Sequence, residues 1–196
     1  MIRFFDIFFS TLGLIILSPL FLLLAIWIKI NSTGPTFYKQ LRVGKDGKDF
    51  YLYKFRTMLV DADKKGFITV GKRDPRITRT GYYLRKYKLD ELPQLMNVLR
   101  GEMSFVGPRP EVRKYVNMYN EEQRKVLSVK PGITDYASIQ YIDENEVLAT
   151  SDNPEKAYIE VVLPEKIKFN MKYIENQSVK EYFKIIFSTI KKIISD

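Results

Sequence analysis

Residues 7 to 28, IFFSTLGLIILSPLFLLLAIWI, form an unbroken uncharged run near the start of the chain. As one helix it would reach roughly 33 Å, enough to cross a hydrocarbon core of about 30 Å. It is too long for an ordinary signal peptide and lacks a small-residue cleavage site. Two features oppose a simple crossing. Arg3 precedes the run, and Lys29, Lys39, Arg42, Lys45 and Lys48 follow it, so basic residues draw both ends toward the cytoplasm. Ser18-Pro19 sits in the middle. Proline removes a helix donor and crowds the preceding turn, while the serine hydroxyl can bond a freed carbonyl. A helix-break-helix that enters and leaves by one face satisfies both facts. The alternative is a proline-kinked helix that spans.

At 196 residues the chain has room for one catalytic domain beside such an anchor. It contains no cysteine and no histidine, so thiolates, cysteine metal sites and the usual neutral-pH proton carrier are excluded. Any chemistry must rest on carboxylates, lysines, arginines and hydroxyls. A net charge of +9 predicts an anionic partner, for which nucleic acid, phospholipid headgroups and phosphorylated substrates all qualify. The apolar N-terminus and the lack of a recognisable binding module speak against nucleic acid.

Beyond the anchor, TFYKQLRVG and DFYLYKF are aromatic and β-branched runs joined by Lys45-Asp46-Gly47-Lys48, which predicts a hairpin. Thr57 to Ile77 reads as a short helix and a loop, and Thr80 to Leu99 returns to helical periodicity. Gly101 to Pro110 reads as an extended loop, followed by a helix from about Glu111 to Val126 and a turn at Lys130-Pro131-Gly132. The segment from Thr134 to Pro164, with Tyr136, Tyr141 and Tyr158 among acidic residues, carries no clear pattern. At the end, Phe183, Ile186, Phe187, Ile190, Ile193 and Ile194 share one side of a helix whose other side shows Lys180, Lys184, Lys191 and Lys192. Such a helix suits an anionic bilayer surface, or packs its apolar face on the domain. The expected fold is α+β and mainly helical. A re-entrant anchor (1–30) precedes a cytoplasmic catalytic region with a small hairpin (31–178), and a basic amphipathic helix closes the chain (179–196).

The densest chemical cluster is Leu84 to Leu95, LRKYKLDELPQL, followed by the loop that carries Arg109. Pro93 is tolerated only in a first helical turn, so Asp90 stands where a helix should begin and reads as an N-cap. The chemical alternative is a carboxylate kept ionised by a helix N-terminus and nearby cations, a competent nucleophile toward phosphorus. Asp90 and Glu91 would point about 100° apart on a helix, which implies different roles: one attacks while the other helps hold a cation. Magnesium bound through one or two carboxylates plus substrate phosphates needs no histidine. Arg56, Arg79, Arg85 and Arg109 flank the pair in sequence, and guanidinium groups grip phosphate oxygens bidentately. Arg109, between Pro108 and Pro110, loses least backbone entropy on binding.

These residues resemble a known family, the bacterial sugar transferases, monotopic phosphoglycosyl transferases that start glycan assembly. The matching pieces are Ser18-Pro19, Lys54-Phe55-Arg56-Thr57-Met58, Leu89 to Leu99, Gly101 to Pro110 and Lys130-Pro131-Gly132-Ile133-Thr134, in family order over about two thirds of the chain. The resemblance implies a re-entrant helix broken at Ser18-Pro19 and an active site at the cytoplasmic face of the bacterial inner membrane. It implies that Asp90 is the nucleophile, that Glu91 assists with Mg2+, and that Arg85, Arg109, Lys54 and Arg56 handle phosphates. The reaction would move sugar-1-phosphate from a UDP-sugar to polyprenyl (undecaprenyl) phosphate through an aspartyl phosphosugar, releasing UMP. The partners implied are a UDP-sugar, polyprenyl phosphate and anionic lipids, with room for a homodimer. The length suggests the minimal catalytic form. One departure stands out: many members follow Pro-Gly-Ile-Thr with a glycine, an aromatic residue and Ala-Gln, whereas this chain reads Asp135-Tyr136-Ala137-Ser138-Ile139. That leaves the sugar open. The competing readings are a glycosyltransferase that releases UDP, and a catalytically silent membrane adaptor.

Overall fold

Pro19 has no N–H to give the carbonyl of Ile15, and the Ser18 hydroxyl takes its place at 2.8 Å. The chain bends there by 60° between α1 (Ile2–Ile16) and α2 (Ser18–Asn31). Among the described residues no single helix is long and apolar enough to cross a membrane; only this bent pair passes on length and composition. The structure is a computed structural model that describes residues 1–62, 74–140, 148 and 150–195. Most of the short helix and loop expected between Thr57 and Ile77 lies outside them, as does Tyr141.

Two charges fasten α1 to the rest of the chain. Asp6 is 1% exposed, and its Oδ1 accepts hydrogen bonds from the Ser104 hydroxyl at 2.9 Å, the Phe105 amide at 3.1 Å and the Tyr182 hydroxyl at 3.0 Å. Arg3 donates to the carbonyls of Val98 and Leu99 at 2.5 and 2.7 Å, where a helix end is short of donors and favours a cation.

The hairpin forms as expected. Strands β1 (Phe37–Val43) and β2 (Asp49–Phe55) pair antiparallel from Phe37↔Phe55 to Val43↔Asp49, joined by a tight turn over Lys45–Gly47. The helical stretch expected from Thr80 to Leu99 is instead two helices, α3 (Arg79–Lys86) and α4 (Gln94–Arg100). The Thr78 hydroxyl caps α3 by accepting from Gly81 N at 2.9 Å, and Lys88 ends the helical run by turning left-handed at φ 56°.

Gly101 to Pro110 is more ordered than a loop. Strand β3 (Ser104–Val106) pairs parallel with β4 (Gly132–Thr134), so Gly-Glu-Met-Ser-Phe-Val-Gly and Pro-Gly-Ile-Thr are halves of one small sheet. A Cβ on Gly107 would collide with the Lys130 carbonyl, and one on Gly132 with the Gly107 amide, so this approach requires glycine on both sides. The expected helix from Glu111 to Val126 is also interrupted. Only α5 (Arg113–Val116) and a 3-10 turn at Gln123–Ser128 form, because Asn120 and Gln123 bond each other's amides at 3.0 and 2.8 Å in a capping box that restarts the chain.

The C-terminal part runs through α6 (Tyr136–Gln140), a helical turn at Pro154–Ala157, a π turn at Tyr158–Val162, α7 (Leu163–Glu175) and α8 (Val179–Ser195). The apolar side of α8 is partly buried and partly exposed. Tyr182 and Ile185 are fully buried, and Phe183 packs edge-on against Phe5 at 5.0 Å. Burying an isoleucine so completely is worth about 1.5–3 kcal/mol, enough to hold the helix in place. Phe187 and Ile193 are 65% and 63% exposed, on a molecule whose α1 and α2 also expose Phe4, Phe8, Ile15, Leu23 and Ile30.

Candidate active site

Three separate segments bring charge to one place. Strand β2 supplies Lys54, a 3-10 turn at Leu89–Glu91 supplies Asp90 and Glu91, and the chain leaving β3 supplies Arg109. Lys54 Nζ lies 3.2 Å from Glu91 Oε1. The Arg109 fork meets the same carboxylate, with Nη2 on Oε1 and Nη1 3.4 Å from Oε2. Lys88, a left-handed non-glycine residue of the kind found where strain serves a site, precedes the acidic pair by two residues.

Asp90 is not the helix cap. Pro93 holds that position for α4, with no side-chain cap, and Asp90 lies inside the preceding turn. Its carboxylate is 7% exposed and accepts no hydrogen bond among the described residues. Burial therefore raises its pKa above the ordinary carboxylate value, and the negative Glu91 adds to the rise; Lys54, Arg85 and Arg109 pull the other way without cancelling it. Cations nearby thus offset only part of the effect of burial on Asp90. Glu91 behaves oppositely. Burial would raise it, but the charges of Arg109 and Lys54 and the Arg109 hydrogen bond hold it well below the ordinary range. Lys54 is lowered by burial in spite of Glu91. Neighbouring carboxylates pushed apart in this way are suited to different tasks.

Arg85 lies on α3 close enough for its charge to act on Asp90. Arg56 is directed elsewhere: buried at 5% exposure, it donates to the carbonyls of Pro35 at 2.7 Å, Ser32 at 2.9 Å and Thr33, closing the end of α2. The donor fork expected to hold phosphate here satisfies backbone oxygens. Arg79 faces a cleft beside Trp27, Thr80 and Tyr83. Ser18 and Pro19 stand at the 60° bend.

Residues that support the site are given no role in it by the sequence, Asp135 standing out there only as a departure from the family pattern. Asp135 is buried, with Oδ2 accepting from the Arg109 amide at 3.3 Å and Oδ1 from the Ser138 amide at 2.6 Å and the Ser138 hydroxyl. It stands behind Arg109. Arg42 holds the other flank by donating to the Pro110 carbonyl at 3.0 Å. Asp6 did carry a signal, since it is the only acidic residue before Asp46 and borders the uncharged run.

Among the described residues no group of three or more His, Cys, Asp or Glu side chains could hold a metal by itself. Asp90, which accepts no hydrogen bond among the described residues, keeps its oxygens available to a metal, whereas Glu91 is engaged by Lys54 and Arg109. This donor set fits magnesium only where substrate phosphates complete the coordination.

The chain is 38% identical over 194 residues to the UDP-glucose:undecaprenyl-phosphate glucose-1-phosphate transferase of Escherichia coli (strain K12), a match covering 95% of this chain and 39% of that protein. It is 36% identical over 193 residues to the UDP-N-acetylgalactosamine-undecaprenyl-phosphate N-acetylgalactosaminephosphotransferase of Aeromonas hydrophila, covering 97% and 43%. With the exopolysaccharide production protein PSS of Rhizobium leguminosarum bv. phaseoli it shares 39% over 195 residues, covering 96% and 92%. The chain thus spans about two fifths of the first two relatives and most of the third. The model of the bacterial sugar transferase family matches residues 1–196, and the chain belongs to that family.

Proposed function

We propose that this protein transfers sugar-1-phosphate from a UDP-sugar to undecaprenyl phosphate, with Asp90 as a covalent nucleophile. The observation that carries the reading is the contrast within the acidic pair: Glu91 is clamped by Lys54 and Arg109, while Asp90 is buried and accepts no hydrogen bond among the described residues. In the first displacement an Asp90 oxygen bonds to the sugar-bearing phosphorus as the phosphoanhydride P–O bond breaks, and UMP leaves with the electron pair. In the second, an oxygen of undecaprenyl phosphate bonds to that phosphorus and the aspartyl P–O bond breaks. The bond between sugar and phosphate is untouched. The acceptor is already an anion, so no general base is needed in a chain without histidine.

A carboxylate raised by burial is a stronger base than an ordinary one and, once ionised, a better nucleophile. Lys54 and Arg109 lie beside it to meet the phosphate charge, and Arg85 adds a third cation on the α3 side. Magnesium, bound through Asp90 and the substrate phosphates, would neutralise phosphate charge there. The bend at Ser18-Pro19, the basic residues on both sides of it and the exposed apolar side chains of α1, α2 and α8 support a re-entrant anchor with both ends in the cytoplasm.

The deciding experiment offers UDP-sugars one at a time with undecaprenyl phosphate and identifies the released nucleotide. UMP supports the proposal, UDP would mean transfer of the sugar alone, and no release with any donor would favour an adaptor. Cysteines introduced as Ile2→Cys and Thr33→Cys test topology. Both should resist labelling from the periplasmic side of intact cells, and reaction of either would remove the re-entrant model.

A further inference from the structure

Away from the acidic pair, a cleft of about 400 Å3 opens between the end of α2 and the start of α3, lined by Trp27, Asn31, Arg79, Thr80 and Tyr83. Its polar groups are poorly matched by the protein. Thr80 is 2% exposed, yet its hydroxyl oxygen has no hydrogen-bond partner among the described residues. Arg79 is exposed, and no hydrogen bond or salt bridge engages its guanidinium among the described residues. Both belong to the first turn of α3, where the helix dipole favours an anion, although the Thr78 hydroxyl takes the Gly81 amide and Asn31 Oδ1 takes that of Thr80, so the side chains of Arg79 and Thr80 are the donors left to a ligand.

The rest of the wall is aromatic. Trp27 and Tyr83 lie 6.0 Å apart at 30°, each about two-fifths exposed, and Tyr82 packs edge-on to Tyr83 at 5.4 Å. Leu23, Ile26 and Ile30 of α2 are exposed as well. Tryptophan and tyrosine at the end of an exposed apolar helix mark the level where lipid headgroups begin. An arginine and an unpaired buried hydroxyl at that level are the donors a phosphodiester would use.

We propose that this cleft binds the headgroup phosphate of an anionic bilayer phospholipid, with the Arg79 guanidinium and the Thr80 hydroxyl holding the phosphate, and Trp27 and Tyr83 flanking its glycerol end. The proposal rests on reading α1 and α2 as a membrane anchor, but its test does not depend on turnover. Arg79 and Thr80 take no part in the acidic pair, and a site here would fix how deep the anchor rides.

Trp27 is the only tryptophan in the chain, so its fluorescence reports the cleft directly. Protein is reconstituted in phosphatidylcholine nanodiscs containing a rising fraction of phosphatidylglycerol. Wild type should show a saturable change in Trp27 emission, and Arg79→Ala and Thr80→Val should shift its midpoint to about tenfold more phosphatidylglycerol. Thr80→Ser, which keeps the hydroxyl, should behave as wild type and so exclude misfolding as the cause. The proposal is overturned if the change never saturates, or if Arg79→Ala keeps the wild-type midpoint. It is also overturned if inorganic phosphate alone reproduces the change, or if a trace of polyprenyl phosphate does so in place of phosphatidylglycerol. Loss of UMP release in a separate assay would remove the enzymatic reading and leave this result standing.

Discussion

Asp6 and Asp90 are both buried aspartates, with under a tenth of their surface exposed, and their surroundings are opposite. Asp6 is met by two hydroxyls and an amide from two parts of the chain, Ser104 and Phe105 of β3 and Tyr182 of α8. Asp90 is met by no hydrogen bond among the described residues and sits above its ordinary pKa because burial outweighs three nearby cations. A buried carboxylate with its oxygens satisfied holds structure together. One left unsatisfied costs stability and stays available to react. Glu91, next in sequence, belongs with Asp6 in this respect, since Lys54 and Arg109 occupy it.

The largest effect that sharpens this contrast is on turnover. Asp90→Asn should lower UMP release at least about 100-fold, roughly 3 kcal/mol of barrier, without loss of fold. Linkage gives the sign for stability. A group whose folded pKa lies above its unfolded value contributes stability below the unfolded value, and that contribution is lost as pH rises through the folded one. At neutral pH ionised Asp90 is therefore a cost, so Asp90→Asn should match or exceed wild type in thermal midpoint. For the same reason the acid limb of activity should lie above the ordinary aspartate value of about 3.9. A folded Asn variant that keeps more than about a hundredth of wild-type turnover would make Asp90 a bystander.

Asp6→Leu should do the reverse. It strands the Ser104 hydroxyl, the Phe105 amide and the Tyr182 hydroxyl, and should cost about 2–4 kcal/mol, seen as a lower unfolding midpoint in detergent. Asp6→Asn, whose amide oxygen still accepts, should recover most of it. An unchanged midpoint in the leucine variant would break the comparison. Glu91→Gln should cost about 1–3 kcal/mol near neutral pH, because Lys54 and Arg109 lose their shared charge. Glu91 has a lowered folded pKa, so its contribution is present above the unfolded value and lost as pH falls through the folded one. The gap between wild type and variant should close in that acid range, and a gap independent of pH would contradict it. The smallest effect is Arg56→Lys. A lysine cannot reach three carbonyls in a fork, so about 1–2 kcal/mol of stability should go while KM for the UDP-sugar stays put. A raised KM with unchanged stability would return Arg56 to the phosphate-binding set.

What the sequence disclosed and what it hid divide along the same physical line. The bend at Ser18-Pro19 and the β1–β2 hairpin are local chemistry, a missing donor and a turn between alternating runs, and both were legible. So was the nearness of Arg109 to the acidic pair. The parallel pairing of β3 with β4 was not, because its partners lie 28 residues apart and neither strand exceeds three residues. Arginines look alike in sequence, and only packing distinguishes Arg109 on Glu91 from Arg56 on the end of α2. Asp135 read as a departure that left the sugar open, yet it is turned inward onto the Arg109 amide. The capping box at Asn120 and Gln123 is local chemistry as well, but helical periodicity from Glu111 to Val126 masks it in the sequence.

The central claim is that Asp90 carries the phosphosugar, and intact-protein mass tests it directly. Wild-type protein incubated with magnesium and its correct UDP-sugar, without polyprenyl phosphate, should gain the mass of one phosphosugar and release UMP in equal amount. The Asp90→Asn variant should gain none. Full turnover with both substrates, with no adduct and no UMP burst from the donor alone, would contradict the account and favour direct transfer in a ternary complex with Asp90 as metal ligand.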